Sequence, residues 1–114
     1  MNAQELAVAA AHGAAPLIIV VDNGIYGTIA AHQRQHYPHR PSGTAIPNPD
    51  FAGWISTFGG HGERVENTRE FGPALERALE SGRLALLHLV VDPGLMPPDA
   101  SNNEARTVLA GDPA

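Results

Sequence analysis

The chain has 114 residues and a formal net charge of −5, with 7 basic residues, all of them Arg, against 12 acidic ones. This length allows one domain at most, and an acidic chain without a basic run argues against nucleic acid and anionic membrane as partners. The absence of Cys excludes a disulfide scaffold, a thiolate zinc site and a cysteine nucleophile. The apolar runs are too short for a bilayer and no signal peptide is visible, so we expect a cytoplasmic protein.

The first predicted elements are a helix and a strand. The helix covers residues 2–15, with Asn2 as the N-cap, Glu5 three residues later as in a capping box, and Gly13 as the stop. Residues 17–21 (Leu-Ile-Ile-Val-Val) are apolar without alternation, which predicts a strand. We expect such a strand to be covered on both faces, as in a parallel sheet between helices.

A turn and a second helix follow. The sequence Asp-Asn-Gly at 22–24 is a turn signal. From Ile25 to about Tyr37 the apolar spacing is helical but imperfect, and Pro38 ends the helix. Residues 38–47 are rich in Pro, Gly, Ser and Thr, which predicts a loop.

The third helix is predicted to begin at Asn48-Pro49, with Asn48 as the N-cap and Pro49 as the first helical residue. Four apolar residues at i, i+3, i+4 and i+7 predict one buried face: they are Phe51, Trp54, Ile55 and Phe58. Gly59-Gly60 ends the helix, and a short strand is predicted for residues 61–66.

The fourth helix has the clearest 3.6-residue period in the chain, and we expect Thr68 to cap it and Gly82 to end it. Its apolar positions are Phe71, Ala74, Leu75, Ala78 and Leu79. Residues 84–91 form the second strong strand, which ends in the turn Asp-Pro-Gly at 92–94. Strands that alternate with helices indicate an α/β fold with a parallel sheet. With only three strands, the sequence reads as part of such a domain.

The best candidate for chemistry is the strand-to-helix turn at residues 21–28 (Val-Asp-Asn-Gly-Ile-Tyr-Gly-Thr). Ligands of open α/β sheets bind beyond the carboxyl ends of the strands, and the amides at the start of a helix favour a phosphate. Gly24 and Gly27 allow close approach, and Asn23 offers a neutral oxygen suited to Mg²⁺. Because Asn-Gly is also an ordinary turn, these residues alone leave both interpretations open.

A series of segments resembles, in order, the C-terminal cofactor-binding domain of thiamine diphosphate-dependent enzymes, of the acetolactate synthase and 2-oxo acid decarboxylase type. The segments are Met-Asn-Ala-Gln-Glu-Leu at 1–6, Asp-Asn at 22–23, Ile-Tyr-Gly-Thr-Ile at 25–29, His-Gln at 32–33, Tyr-Pro at 37–38, Gly-Thr at 43–44, Asn-Pro-Asp-Phe at 48–51, Gly-His-Gly-Glu-Arg-Val-Glu at 60–66, the helix at 71–79, and the strand before Asp-Pro at 92–93. Such a string of agreements is more specific than any single motif.

The resemblance implies a fold and an organisation. The fold is a three-layer α/β/α arrangement with a parallel sheet, incomplete because it lacks the first strand of the domain. The partial thiamine diphosphate-binding domain covers residues 1–96, and residues 97–114 are expected to form a flexible tail.

The resemblance also implies a cofactor site. In the family, a motif that begins with Gly-Asp-Gly and ends with Asn-Asn holds Mg²⁺, which grips the diphosphate. Asn23 matches the last Asn and Ile25 would supply a backbone carbonyl, so these two are the implied metal ligands, while Asp22 replaces the first Asn. The implied cofactor-binding residues are Asn23, Gly24, Ile25, Tyr26 and Gly27. Neither the Gly-Asp-Gly segment nor the family's activating glutamate, which lies on another domain, is in this chain.

The missing carboxylate sets the expected affinity, because Mg²⁺ prefers charged oxygen ligands. One unit-charge contact near a surface is worth about 4 kcal/mol, on the order of a thousandfold in affinity. We therefore expect this polypeptide alone to bind thiamine diphosphate and Mg²⁺ weakly and to catalyse nothing. Decarboxylation or carboligation of 2-oxo acids would belong to the parent enzyme. The expected partners are the missing domains of that enzyme and further copies of the chain, in a dimer or larger homo-oligomer.

Other interpretations remain open at this stage. The chain is alternatively a non-catalytic module that self-associates through an exposed sheet edge. His32 and His36 have the i, i+4 spacing of zinc ligands and His39 follows, but Gln33 stands where a metalloprotease needs a general base. Ile29 is either a core residue or, together with His32, part of the substrate side.

Two further expectations concern the predicted strands. For His61 and His88 we expect hydrogen-bonded structural roles, because each lies within a strand. Glu63 and Arg64 are adjacent and of opposite charge, which predicts an ion pair at the strand edge.

Overall fold

The computed structural model describes residues 2–95. Its elements in chain order are α1 (Glu5–Ala11), β1 (Leu17–Asp22), α2 (Gly27–His36), α3 (Phe51–Ser56), β2 (His61–Val65), α4 (Thr68–Glu80) and β3 (Ala85–Val90). This is the predicted order of helices and strands. Within residues 2–95, no helix is both long enough and apolar enough to cross a membrane.

The chain divides into two compact units. The sheet unit comprises residues 2–22 and 47–91 of the described chain, and the turn unit comprises residues 23–46 and 92–95. The predicted tail at 97–114 lies outside the described residues.

The sheet unit is organised by three parallel strands in the order β1-β3-β2. Leu17 of β1 and His61 of β2 both lie opposite Ala85 of β3, so the three strands start together. At the other end Asp22 lies opposite Val90. The parallel sheet predicted from the sequence is confirmed, and its carboxyl ends share one edge.

Helices cover the sheet on both faces, which gives the three layers. On one face, α1 and α3 pack against the strands, and the buried and half-buried members are Leu6, Ala10, Ile18, Val20, Phe51, Trp54, Ile55, Phe58, Leu84 and Leu86. On the other face lies α4, whose cluster contains Leu17, Val65, Phe71, Ala74, Leu75, Ala78, Ala85, Leu87 and Leu89. The predicted apolar face of α3 packs against the sheet, where Ile55 is buried and the other three predicted positions are half-buried.

β1 departs from the expectation that both of its faces are covered. The helix α4 packs on β2 and β3, and two β1 side chains on the α4 side remain exposed, Ile19 to 46% and Val21 to 65%. The continuous apolar run predicted two covered faces because it carries no alternation. In the described part of the chain, that expectation for β1 is wrong.

The first helix is shorter than predicted. It begins at Glu5, with Gln4 as N-cap and no side-chain cap, so Asn2 does not cap it. Only the Asn2 backbone takes part, because its carbonyl accepts the Glu5 N–H at 3.0 Å. The predicted stop at Gly13 is confirmed: its φ is 66°, and the Ala14 N–H donates to the Ala9 carbonyl at 2.9 Å, as in a Schellman motif.

The predicted caps of α3 and α4 are each wrong by one or two residues. Asp50, not Asn48, caps α3, because its carboxylate accepts the Gly53 N–H at 3.0 Å. Asn67, not Thr68, is the N-cap of α4, and Glu70 closes a capping box by accepting the Asn67 N–H at 3.2 Å.

The start of one helix and the burial of one residue also differ from prediction. Helix α2 begins at Gly27 and not at Ile25, because Ile25 is bridged to another backbone segment. Leu79 was predicted to be on the buried face of α4, but it is 62% exposed. Ala74 and Ala78, two other predicted positions on this face, are buried.

Two glycines allow α3 and β2 to approach each other closely. A Cβ at Gly62 would overlap the backbone carbonyl oxygen of Ala52 and lie 2.7 Å from Ile55 Cγ2. A Cβ at Gly60, the residue before β2, would lie 2.9 Å from Ile55 Cγ1 and 3.0 Å from the Ile55 carbonyl oxygen. The obstructing atoms are mostly backbone, so they cannot move aside as the end of a flexible side chain would.

We expect the substitution Gly62→Ala to destabilise the fold by about 2 kcal/mol or more, because α3 must move away from β2. Gly72→Ala is the matched control, since no atom lies within 4 Å of its Cβ and Ala favours a helix by about 1 kcal/mol over Gly. Urea denaturation followed by circular dichroism measures both. Equal stability of the two variants would contradict the close approach.

The charge pairs on β2 differ from the prediction that Glu63 pairs with Arg64. Arg77 of α4 binds Glu63 through two nitrogens, Nη2 to Oε2 at 2.7 Å and Nε to Oε1 at 3.0 Å. His61 Nε2 also lies 2.7 Å from Glu63 Oε1, and Arg64 pairs instead with Glu66. Successive strand residues point to opposite faces, which is why neighbours in sequence do not pair.

The bidentate bond from Arg77 lowers the pKa of the Glu63 carboxyl from its ordinary value of 4.5. A depressed folded-state pKa contributes stability that is present above the unfolded value and lost as the pH falls through the folded value. We therefore expect the free energy of unfolding of the wild-type chain to decrease below pH 4.5 by more than that of Glu63→Gln.

Urea titrations between neutral pH and acid would measure this difference. Arg77→Gln should lower the free energy of unfolding at neutral pH, because it removes the partner that stabilises the ionised Glu63 carboxylate. Arg69→Gln is the control on the same helix, since Arg69 forms no ion pair within the described residues. Parallel pH curves for Glu63→Gln and the wild type would show that the pair does not stabilise the fold.

Candidate functional site

The candidate turn begins directly after β1. Asn23 follows Asp22, the last residue of that strand, so it leaves the sheet at a carboxyl end, where ligands of this fold class bind. The Asn23 side chain folds back onto its own turn, with Oδ1 accepting the Ile25 N–H at 3.2 Å. Gly24 has a φ of 66°, a left-handed conformation in which any other residue is strained.

An isolated antiparallel bridge holds the turn on its other side. Ile25 lies opposite Ala45, and the bridge bonds are made by their neighbours. The Tyr26 N–H donates to the Thr44 carbonyl at 2.8 Å, and a second bond of 2.8 Å joins the Ile46 N–H to the Gly24 carbonyl. In this kind of antiparallel pair, the central residues use neither their own N–H nor their own C=O for the bridge.

The bridge therefore leaves the backbone groups of Ile25 pointing away from Ala45. Its N–H is taken by Asn23 Oδ1. No residue of the described chain donates a hydrogen bond to its carbonyl oxygen. In an extended residue the N–H and C=O point to the same side, so the Asn23 amide and the Ile25 carbonyl oxygen lie on one side of the bridge.

Helix α2 starts immediately after these two residues. Tyr26 is its N-cap, and no side chain caps the first turn, which begins at Gly27. The first amides of a helix have no partner within the helix and carry a partial positive charge. The turn thus combines neutral oxygen atoms with amide N–H groups that favour an anion.

The loop before α3 is tied to α2 by one side chain that sequence reasoning missed. Gln33 Nε2 donates to the Ser42 carbonyl at 2.7 Å, and Gln33 Oε1 accepts the Ser42 N–H at 3.1 Å. The side-chain amide pairs with the backbone as a second strand would. This pair holds in place the segment that supplies the bridge to Ile25.

The carboxylate of Asp22 is bound within the sheet unit. Oδ2 accepts a hydrogen bond from His88 Nε2 at 2.9 Å, and Oδ1 accepts one from Asn48 Nδ2 at 2.7 Å. One sequence signal points to this cluster, a His in an otherwise apolar strand, since a buried polar ring requires a partner. The sequence did not indicate which residue this partner would be.

The histidine expectations have different outcomes. The structural roles of His61 and His88 are confirmed, because each ring bonds a carboxylate. The ring of His36 instead donates from Nδ1 to the carbonyl of His32 at 3.0 Å. Among residues 2–95, no group of three or more His, Cys, Asp or Glu side chains is placed to hold a metal ion.

Ile29 was predicted as either a core residue or a residue on the substrate side. It is 53% exposed, so the core interpretation is wrong. His32 is also exposed. A position of both on the substrate side stays a prediction.

Comparison with known proteins assigns the chain to a family. The sequence model of the C-terminal TPP-binding domain of thiamine pyrophosphate enzymes matches residues 1–89. This chain belongs to that family, whose cofactor is thiamine diphosphate, also called thiamine pyrophosphate. The three-stranded parallel sheet between helices is consistent with an incomplete α/β domain of this type.

Individual relatives are acetolactate synthases. The chain is 34% identical over 110 residues to the acetolactate synthase isozyme 2 large subunit of Escherichia coli, covering 91% of this chain and 20% of that subunit. It is 32% identical over 91 residues to the acetolactate synthase large subunit IlvG of Mycobacterium tuberculosis, covering 80% of this chain and 17% of the relative. The chain spans about a fifth of the length of the curated relatives it matches. The alternative of a self-associating interaction module has no support in these comparisons.

Proposed function

We propose that this chain provides the diphosphate-binding turn of a thiamine diphosphate-dependent enzyme that decarboxylates or joins 2-oxo acids. The observation that carries the proposal is the bridge at Ile25, just before the start of a helix: its carbonyl oxygen receives no hydrogen bond from residues 2–95, and its N–H is bound by the Asn23 amide. A chain of this family with that arrangement has the two kinds of group that the cofactor's diphosphate requires, oxygen ligands for a metal and amides for phosphate.

The proposed metal ligands are Asn23 Oδ1 and the Ile25 carbonyl oxygen, and the proposed metal is Mg²⁺. Both are hard neutral oxygens, which fit Mg²⁺ in chemistry, and the Asn23 oxygen has a second lone pair beyond the one used by the Ile25 N–H. The first amides of α2, from Gly27 onward, would bind the phosphate oxygens. Gly24 and Tyr26 supply the backbone that connects the two groups.

Bound thiamine diphosphate would supply the electron sink that 2-oxo acid chemistry requires. The residues of this chain bind and orient its diphosphate. Because the two proposed ligands are neutral, we expect binding by this chain alone to be weak, by about a thousandfold relative to a site with one further charge contact. Asp22 does not replace that charge freely, since both of its oxygens accept hydrogen bonds within the sheet unit.

The remaining parts of the proposal concern the whole protein. The relatives are about five times longer than this chain, so the domains that complete the reaction would come from the rest of a parent enzyme. We propose that the parent acts on 2-oxo acids as an acetolactate synthase does, that it forms a homo-oligomer, and that it works in the cytoplasm.

Calorimetric titration of the chain with thiamine diphosphate in the presence of Mg²⁺ tests the proposed ligands. We expect weak binding that requires Mg²⁺, and a loss of about tenfold or more in affinity for Asn23→Ala, because one metal ligand is removed. Asn2→Ala is the matched control, since Asn2 is exposed and lies outside the turn.

The outcome is decided by the pair of variants. Unchanged affinity in Asn23→Ala, or equal losses in both variants, would contradict a metal ligand at Asn23. Binding that does not depend on Mg²⁺ would contradict the metal itself. Thermal unfolding with and without ligand is an independent check, because a ligand that binds only the folded chain raises the melting temperature.

A further inference from the structure

We propose that His88 and Asn48 are positioning residues for the diphosphate turn, and that they act by holding Asp22, the residue joined by a peptide bond to Asn23. The proposal rests on the proposed function, because it assigns a second set of residues to the same site. Neither residue is in the turn.

The geometry begins with the sheet register. Val20 of β1 lies opposite His88 of β3, and Asp22 is two residues further along on the same face as Val20. The His88 ring therefore reaches along the sheet to Asp22, with Nε2 2.9 Å from Oδ2. Since a carboxylate only accepts hydrogen bonds, the Nε2–H donates.

Asn48 holds the same carboxylate from another segment of the chain. Its Nδ2 donates to Asp22 Oδ1 at 2.7 Å, across 26 positions of sequence. The backbone of Asp22 is also bound, because its carbonyl accepts the Val91 N–H at 2.9 Å. Asp22 is thus fixed by side chain and backbone at the point where the chain leaves β1.

Packing alone does not explain a histidine at this position. His88 is 1% exposed and its ring meets Phe51 edge-on at a centroid distance of 5.1 Å. Its Nδ1 is buried and has no hydrogen-bond partner in the described chain. An aliphatic side chain of similar size would avoid that unpaired nitrogen, so the bond from Nε2 to Asp22 is the feature that accounts for His88.

The two donors His88 and Asn48 also give a reason for Asp at position 22, where the family resemblance implies Asn. A carboxylate has two acceptor oxygens, and here one receives His88 and the other receives Asn48. An Asn side chain has one acceptor oxygen, and its NH₂ group would face one of the two donors. The substitution therefore fits the two donors that meet it.

Amide hydrogen exchange and cofactor titration of the 114-residue chain test the proposal together. In His88→Leu we expect the Ile25 and Tyr26 amides to exchange about tenfold faster, because the residue before Asn23 loses its support. Asn48→Ala should give a smaller increase in the exchange rate of the same two amides. We expect the fold to tolerate this substitution, because Asn48 is exposed. His88→Gln should restore slow exchange, because the Gln side-chain amide also donates.

His61→Leu is the matched control. It removes a hydrogen bond of the same kind, from a strand His Nε2 to a carboxylate at 2.7 Å, but on β2. We expect it to leave the Ile25 and Tyr26 amides unchanged, and to leave the affinity for thiamine diphosphate with Mg²⁺ unchanged, whereas His88→Leu lowers that affinity.

Equal exchange at Ile25 in His88→Leu and His61→Leu would overturn the proposal. A second pair of results would also overturn it: an unchanged exchange rate of the Ile25 amide in Asn48→Ala, and exchange that is uniformly faster across β2, β3 and α4 in His88→Leu. Together these results are the pattern of a purely structural residue. The exchange measurements need no cofactor. If the wild-type chain fails to bind thiamine diphosphate while the exchange results hold, the proposed function fails and the positioning role of His88 stands.

Discussion

The strand β3 imposes the constraint on which the sheet unit depends. It is hydrogen-bonded along both edges and covered on both faces, and its central residues Leu86 and Leu87 have no exposed surface. A strand in that position has no access to water, so each polar group on it requires a partner inside the fold. His88 is its buried polar side chain, and Asp22 on the neighbouring strand is the partner that the parallel register brings within reach.

Because of this constraint, the adjacent residues Asp22 and Asn23 differ in the charge and the contacts of their side chains. Asp22 carries the charge but is engaged in the sheet unit, whereas Asn23 and Ile25 present oxygen atoms without charge. A metal in such a place would take its negative ligands from the phosphates and from other parts of a longer enzyme. In the proposed function, this chain would therefore shape the cofactor site, and the affinity would depend on the rest of the parent enzyme.

Local chemistry accounts for the elements that the sequence predicted. The aliphatic runs at β1 and β3 and the stop at Gly13 depend on neighbours in sequence, so pattern was enough to find them. The caps were less predictable: Asn48 has the right side chain for a cap, but Asp22 binds it, and Asp50 takes its place. The pairing of His88 with Asp22 spans 66 positions, and no local pattern specifies such a distance.

The backbone bridge between Ile25 and Ala45 has a thermodynamic consequence. It is formed by the backbone of the chain itself, and it restricts the two dihedral angles of Ile25. Immobilising a flexible loop on association opposes binding by its lost conformational freedom, and a segment that is already ordered avoids most of that loss. At the proposed site, this order would offset part of the affinity that the missing carboxylate removes.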